Sequence, residues 1–347
     1  MKKAFALLCA ALLVLGGLLP AGGYLLARTL LTPGREASPA SAADEPGGLG
    51  GLGGLDLPSL PDETSAGAED TGLIRVEDLG TGQTCEVPLR TYLIGAVAAE
   101  MPVSWPDEAL KAQAVAVHSY VLYCRDHCAD PEGPWLSVDP ARRQGYLSDE
   151  VLHSYWGTGY DANYARLAAL VDEVLTKVLY YDGAPAGASY FAISNGRTEA
   201  SENVWGAALP YLTAVDSSTD LSAENYEYTV HFSASQLRQL LADGLGLAPD
   251  EAAPESWFGA PELTPSGYVA ALSVCGQRIS GVTLRRVLGL RSACFTVAYQ
   301  DGIFAVTTRG YGHGVGLSQW GAKAMAEQGS GYAEILAHYF PGTELRS

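Results

Sequence analysis

No charged residue occurs between Ala4 and Ala27, and this limits where folding can begin. The run is rich in Leu and Ala, preceded by Lys2 and Lys3 and closed by Arg28. It is longer than the ~20 apolar residues a helix needs to cross a bilayer. Residues 1–31 therefore read as a membrane anchor, with the basic start inside and everything after Arg28 outside. A cleaved signal peptide is the alternative, with Ala21, Gly22 and Gly23 as small residues for a cleavage zone. The apolar run continues beyond that zone through Tyr24, Leu25 and Leu26, which favours the anchor. Residues 32–71 are dominated by Pro, Gly, Ala and Ser, with the low-complexity stretch Gly48-Leu-Gly-Gly-Leu-Gly-Gly-Leu55. Such a composition cannot bury a core and reads as a flexible tether. The folded body is expected over residues 72–347, long enough for one large ectodomain.

A formal net charge of -18 argues against nucleic acid or an anionic lipid surface as the main partner. It also disfavours long-range capture of an anionic polymer, so any such ligand has to be held by local contacts. Outside the apolar run lie Cys85, Cys124, Cys128, Cys275 and Cys294, an odd number and scattered. That is not the pattern of a disulfide scaffold.

Within the body, Ile74 to Asp78 and Thr84 to Val87 read as strands of a hairpin. Pro88 opens a helix to about Glu100, which Met101 and Pro102 end. Ser104-Trp-Pro-Asp107 is a capping pattern for a second helix, with Leu110, Ala114, Val117 and Val121 on one apolar face. A third helix is expected over Asn163 to Thr176. Strands are expected at Val178 to Tyr181, Ser189 to Ile193, Tyr211 to Val215, Tyr226 to Phe232 and Tyr268 to Cys275. Short helices follow Ser233 and cover Thr283 to Leu288. Phe295 to Tyr299 and Ile303 to Thr308 form a hairpin through Gln300-Asp-Gly302, and two helices close the chain. Helices and strands come in blocks, which points to an α+β fold, a mixed sheet with packed helices.

Between Thr91 and Asp107 the one acidic residue is Glu100, at the corner between two expected helices. A carboxyl group in apolar surroundings has a raised pKa and suits a proton donor near neutral pH. Gly310-Tyr-Gly-His-Gly-Val-Gly316 has glycine at every second position, so backbone can approach a ligand closely while His313 projects. It is not a phosphate loop, since no Gly-Lys-Ser/Thr follows. Ser194-Asn-Gly-Arg-Thr198, with Trp205 and Tyr211 nearby, sets aromatic faces beside polar loop residues, as a sugar ring would want; the plain alternative is a tryptophan that plugs the core. His118, Cys124 and Cys128 are zinc-ligand types. The two cysteines share a helix face, but His118 lies about 80° round from Cys128, so it joins only where the helix ends or bends.

Several blocks together resemble the stage II sporulation protein D (SpoIID) and amidase-enhancer family. They are Tyr92-Leu-Ile-Gly-Ala-Val-Ala-Ala-Glu-Met-Pro102, Glu108-Ala-Leu-Lys-Ala-Gln-Ala-Val-Ala116, Val204-Trp-Gly206 with Pro210-Tyr-Leu212, Gly312-His-Gly-Val-Gly-Leu-Ser-Gln-Trp-Gly-Ala322 and Tyr339-Phe-Pro-Gly-Thr343. The resemblance implies a lytic transglycosylase acting on peptidoglycan strands stripped of stem peptides, with Glu100 as catalytic acid and base and 1,6-anhydro ends as product. It implies work in engulfment during endospore formation, from a single-pass membrane protein whose folded body is extracytoplasmic. A cell-wall amidase and other sporulation membrane proteins are the implied partners. Substrate contacts are expected from Lys111, Gln113, Ser194, Asn195, Trp205, Tyr211, His313 and Gln319. A non-catalytic glycan-binding amidase enhancer is the competing expectation. One departure stands out: where much of the family reads Ala-Arg-Thr-Tyr, this chain has Val117-His-Ser-Tyr120. A metal charge held by His118, Cys124 and Cys128 would then replace the missing guanidinium near Glu100.

Overall fold

The computed structural model describes residues 72–130, 132–139 and 144–347. The expected anchor and tether lie outside the described residues. Among the described residues no helix is long and apolar enough to cross a membrane.

The chain opens with β1 (Leu73–Asp78) and β2 (Gln83–Pro88), an antiparallel hairpin in the expected place. Helices α1 (Leu89–Glu100) and α2 (Asp107–His127) follow. Next come β3 (Leu136–Val138), α3 (Asp149–Trp156) and α4 (Tyr160–Val174). Strands β4 (Val178–Tyr181), β5 (Ala184–Pro185) and β6 (Tyr190–Phe191) lead to the short helix α5 (Ser201–Trp205). A second group contains β7 (Glu227–Ser233), α6 (Ala234–Leu245), β8 (Phe258–Leu263), β9 (Val269–Val274), β10 (Gln277–Ser280), α7 (Gly281–Leu288), β11 (Phe295–Gln300) and β12 (Ile303–Arg309). The chain returns to the first group through β13 (Leu317–Ser318), α8 (Gln319–Glu327), α9 (Tyr332–Tyr339) and β14 (Glu344–Arg346).

The α+β reading stands, but in place of one mixed sheet there are several small ones. They have the orders β2-β1-β3, β14-β4-β5, β6-β13, β11-β12-β7 and β10-β9-β8. The β1/β3 and β6/β13 pairs are parallel and the other pairs antiparallel. Two cores result. The larger one surrounds α2, which is buried on nearly every side from Ala109 to Cys124 rather than along a single stripe. A helix apolar all round belongs in the middle of a structure, and alanines at 112, 114 and 116 let α1, α4 and α8 pack closely on it. The smaller core joins Leu237, Leu241, Trp257, Leu284 and Phe304 in the β-rich insertion.

Three expectations need correction. Ser104 does not cap α2: Pro106 stands at the N-cap and Ser104 lies in the preceding turn. Tyr211 to Val215 form no strand; the stretch is tied by single bonds from Thr198 to Val215 and from Ser201 to Leu212. Helix α3 was not expected, although Ser148 caps it by accepting from the Val151 amide at 3.4 Å.

Candidate active site

Glu100 is the last residue of α1, because Met101 leaves the helix in extended conformation, with φ -130 and ψ 140. A carboxylate at a helix C-terminus meets the negative end of the dipole, and this one is fully buried, at 0% exposure. Its Oε2 accepts from Gln319 Nε2 at 3.0 Å, while Oε1 is buried with no hydrogen-bond partner. Burial lifts its pKa from 4.5 to about 7, against hydrogen bonds from Gln319 and the Gly145 backbone that favour the charged form. The phenols of Tyr92 and Tyr190 are close enough to feel its charge. The group is therefore protonated for a large fraction of the time near neutral pH.

Gln319 is delivered from the far end of the chain. It begins α8, whose N-cap Ser318 accepts from the Gly321 amide at 3.2 Å. Ser318 also donates to Asp220 Oδ2 at 2.6 Å, and the same oxygen accepts from the Ser194 amide at 2.6 Å. Asp220 is fully buried and fastens α8 to the loop after β6. Burial raises its pKa to about 6, in spite of the hydroxyls of Ser318, Ser194 and Ser217. Sequence reasoning missed Asp220: one aspartate in Ser217-Ser-Thr-Asp220 carries no pattern of its own.

A guanidinium does reach the corner after Glu100. It comes from α4, where Arg166 donates to the Val103 carbonyl, to Trp105 O at 2.8 Å and to Asp107 Oδ1 at 2.5 Å. The corner that was expected to lack an arginine is thus held by one supplied from elsewhere in the chain.

The glycine loop is used differently from expectation. Gly312 (φ +120) lies where a Cβ would meet Phe191 Cβ at 2.6 Å. At Gly316 (φ +82) a Cβ would lie 2.1 Å from Ser189 O. Only glycine fits, because the backbone packs on β6 and its neighbours rather than lying open to a ligand. His313 projects from this loop beside Trp205 and Phe191, with ring centroids 5.2 and 5.6 Å away. Burial and the Arg285 guanidinium hold its pKa at about 3, opposed by a hydrogen bond with the Tyr190 backbone. It is neutral, and the Val315 amide donating to Nδ1 at 3.1 Å assigns the proton to Nε2.

The remaining expected contacts divide. Trp205 is half-buried against His313. Gln113 is fully buried with neither amide atom partnered. Lys111 instead ties α2 to α4, its ammonium 2.9 Å from Glu108 and 2.6 Å from Glu173. Tyr211 is buried, accepting from the Gly187 amide at 2.9 Å. Ser194 is buried with its hydroxyl accepting from Gly196, and Asn195 holds Ser266 O through Nδ2 at 2.8 Å.

The zinc-ligand set is not assembled in this arrangement. Helix α2 ends at His127, so Cys128 turns into extended backbone (φ -68, ψ 142), and its thiol donates to Arg125 O at 3.0 Å. His118 Nδ1 faces Lys177 O at 3.2 Å, and Cys124 is buried with its thiol pushed up to about 12 by desolvation. Four-residue spacing aligns side chains only while a helix continues. Among the described residues no group of three or more His, Cys, Asp or Glu is placed to hold a metal ion.

Comparison with known proteins gives a consistent picture. A family profile described as "Stage II sporulation protein" matches residues 77–181. The chain is 38% identical to stage II sporulation protein D of Bacillus amyloliquefaciens over 75% of its length and 74% of that protein. Against stage II sporulation protein D of Bacillus subtilis (strain 168) the identity is 36%, over the same shares. The amidase enhancer of Bacillus subtilis (strain 168) is 28% identical over 74% of this chain and 40% of that protein.

Proposed function

Because the chain belongs to the stage II sporulation protein D family, we propose that it is a lytic transglycosylase of peptide-stripped peptidoglycan strands. The observation that carries this reading is Glu100: a buried carboxyl with a pKa of about 7, bonded by Gln319 and the Gly145 backbone and left with one unpartnered oxygen. Protonated Glu100 would give its proton to the glycosidic oxygen between MurNAc and GlcNAc as the C1–O bond breaks. The resulting carboxylate would take the proton from the MurNAc C6 hydroxyl, whose oxygen closes on C1 to leave a 1,6-anhydro end. One carboxyl serves both steps, with no second carboxylate to activate water. Gln319 would steady the ionised form between them. Since Glu100 is fully enclosed, productive binding needs its surroundings to open. No step passes through a metal.

A second reading, a glycan-binding amidase enhancer without cleavage, draws on that enclosure and on the likeness to a protein of that name. Mass spectrometry of peptide-free glycan strands after incubation with the full chain separates the two. Anhydro-ended fragments that vanish with Glu100→Gln support the transglycosylase. Reducing ends would indicate a hydrolase, and intact strands the enhancer. On either reading the partners would be glycan, a cell-wall amidase and other sporulation membrane proteins. The folded body would be held outside the cell membrane by the segment before residue 32 during engulfment.

A further inference from the structure

Strand β7 closes one side of the β11-β12-β7 sheet, and among the described residues no strand pairs with its outer side. Its register fixes which backbone groups look outward. At one end of the β7–β12 ladder the Ala234 amide donates to Gly302 O at 3.3 Å, and at the other the Gly310 amide donates to Tyr226 O at 2.8 Å. Bonded and non-bonded pairs alternate along an antiparallel ladder. The even-numbered residues of β7 therefore bond to β12, and the N–H and C=O groups of Glu227, Thr229 and His231 point away from it. Ser233 does not add to this row, because its amide donates to Gln236 Oε1 at 2.9 Å in the cap of α6. Among the described residues no backbone bond reaches Glu227, Thr229 or His231 from outside the ladder. All three are exposed, and so is the Tyr228 ring between them, at 43%.

Exposed edges are usually blunted by proline, lysine, a bulge or a covering segment. The edge strand of the neighbouring sheet follows that rule: β8 carries Pro261, and its pairing with β9 shifts register. Strand β7 has no proline, no lysine and no shift of register along Glu-Tyr-Thr-Val-His-Phe-Ser, a sequence rich in β-formers. The opposite edge of its own sheet, β11, has neither a charged side chain nor an exposed large apolar one to select a partner.

We propose that β7 is the pairing edge for a second copy of this chain, the two strands running antiparallel about a two-fold axis at Thr229. In that register every outward backbone group finds a partner: Thr229 bonds its counterpart, and Glu227 and His231 bond each other at both ends. On the open face each Glu227 carboxylate lies opposite a His231 imidazole, and no like charges meet. Arg309, 3.2 Å from Glu227 in the same chain, holds that carboxylate in place. On the other face the Tyr228 ring lies opposite Val230, an aromatic against a β-branched side chain. Centring the axis on Val230 instead would set Glu227 against Ser233, whose amide is already taken. The strand is thus complementary to itself, as an isologous contact requires, and the two sheets run on as one. Edge pairing alone falls below the ~1,200 Å² of a standard interface, so the dimer is weak and depends on concentration.

The test is sedimentation of the detergent-solubilised full chain over a concentration series, with oxidative cross-linking beside it. The unaltered chain is expected to pass from monomer to dimer as concentration rises. Thr229→Cys should give a covalent dimer well above the background of the native cysteines, since residues facing each other in a bonded pair have Cα atoms about 5.5 Å apart. Ala305→Cys, on the same face but one strand further in, should not. Glu227→Lys and His231→Glu should each weaken dimerisation at least tenfold, and mixing the two variants should restore it, because each brings the charge that the other lacks. A chain that stays monomeric at every concentration overturns the proposal, whether or not another protein uses the edge. Cross-linking through Ala305→Cys as strong as through Thr229→Cys would mean stacked faces and overturns it too, as does a mixture no tighter than its parts. None of these readouts involves glycan, so the outcome is independent of the transglycosylase reading.

Discussion

Two buried carboxylates sit at the two ends of one short connection, and their surroundings differ. Asp220 receives a backbone amide and a serine hydroxyl on a single oxygen, both at 2.6 Å, with Ser217 close by. Glu100 receives one amide side chain at 3.0 Å and the Gly145 backbone, and otherwise faces apolar and phenolic neighbours. Between them run Ser318 and Gln319, adjacent in sequence and each bonded to one of the pair. Burial alone therefore does not mark a reactive group. Asp220 ties a loop to a helix start, and Glu100 is left with just enough support to carry a charge briefly.

The largest expected effect is on turnover. Glu100→Gln should lower release of anhydro ends by at least about a hundredfold, the lower range for general acid–base catalysis, with the thermal midpoint unchanged or raised. A comparable loss from Asp220→Asn at full stability would collapse the contrast between the two sites.

The next is on stability. Asp220→Ala strips the acceptor from Ser194 N and Ser318 Oγ and should cost about 2–4 kcal/mol in denaturant unfolding, a burial penalty for each donor left unpaired. A change within experimental error would show the knot to be dispensable.

A smaller effect follows from the raised pKa of Glu100. Below 4.5 the group is protonated whether folded or unfolded; between 4.5 and about 7 the unfolded chain ionises while the folded one keeps its proton. The stability this group contributes is therefore full below 4.5 and is lost as pH rises through about 7. Denaturation of wild type and Glu100→Gln across that window should show the variant gaining on the wild type as pH rises. Parallel curves would mean that Glu100 titrates as an ordinary carboxyl. Asp220, raised from 3.8 to about 6, loses its share in a more acid window that both proteins have in common.

The smallest effect is expected from Gln319→Leu, which deletes the side-chain donor on Glu100. The carboxyl pKa should climb and the alkaline limb of the activity profile should move to higher pH, with a modest loss of turnover. An unchanged profile would mean that Gln319 is packing rather than tuning.

Much of this was written locally. The β11–β12 hairpin follows from its Asp-Gly turn, and α6 begins at Ser233 with the capping box its sequence displays. Helix α1 stops at the Met-Pro break that sets Glu100 at a corner. Each depends on residues a few positions apart, where propensity and capping act directly. The Tyr211–Val215 stretch shows the limit: its β-forming residues found no partner strand, and burial of Tyr211 and Leu212 took precedence.

By itself the sequence determined most of the helices, the two hairpins and the one carboxyl worth watching. Tertiary structure alone decided what surrounds that carboxyl. Gln319 comes from the far end of the chain, and Arg166 reaches the corner after Glu100 from α4. Nor does the tertiary structure gather His118, Cys124 and Cys128 into a group placed to hold a metal among the described residues. The reason is physical: pKa, desolvation and hydrogen bonding depend on distances in space, and chain spacing controls those only within a turn or two of one helix.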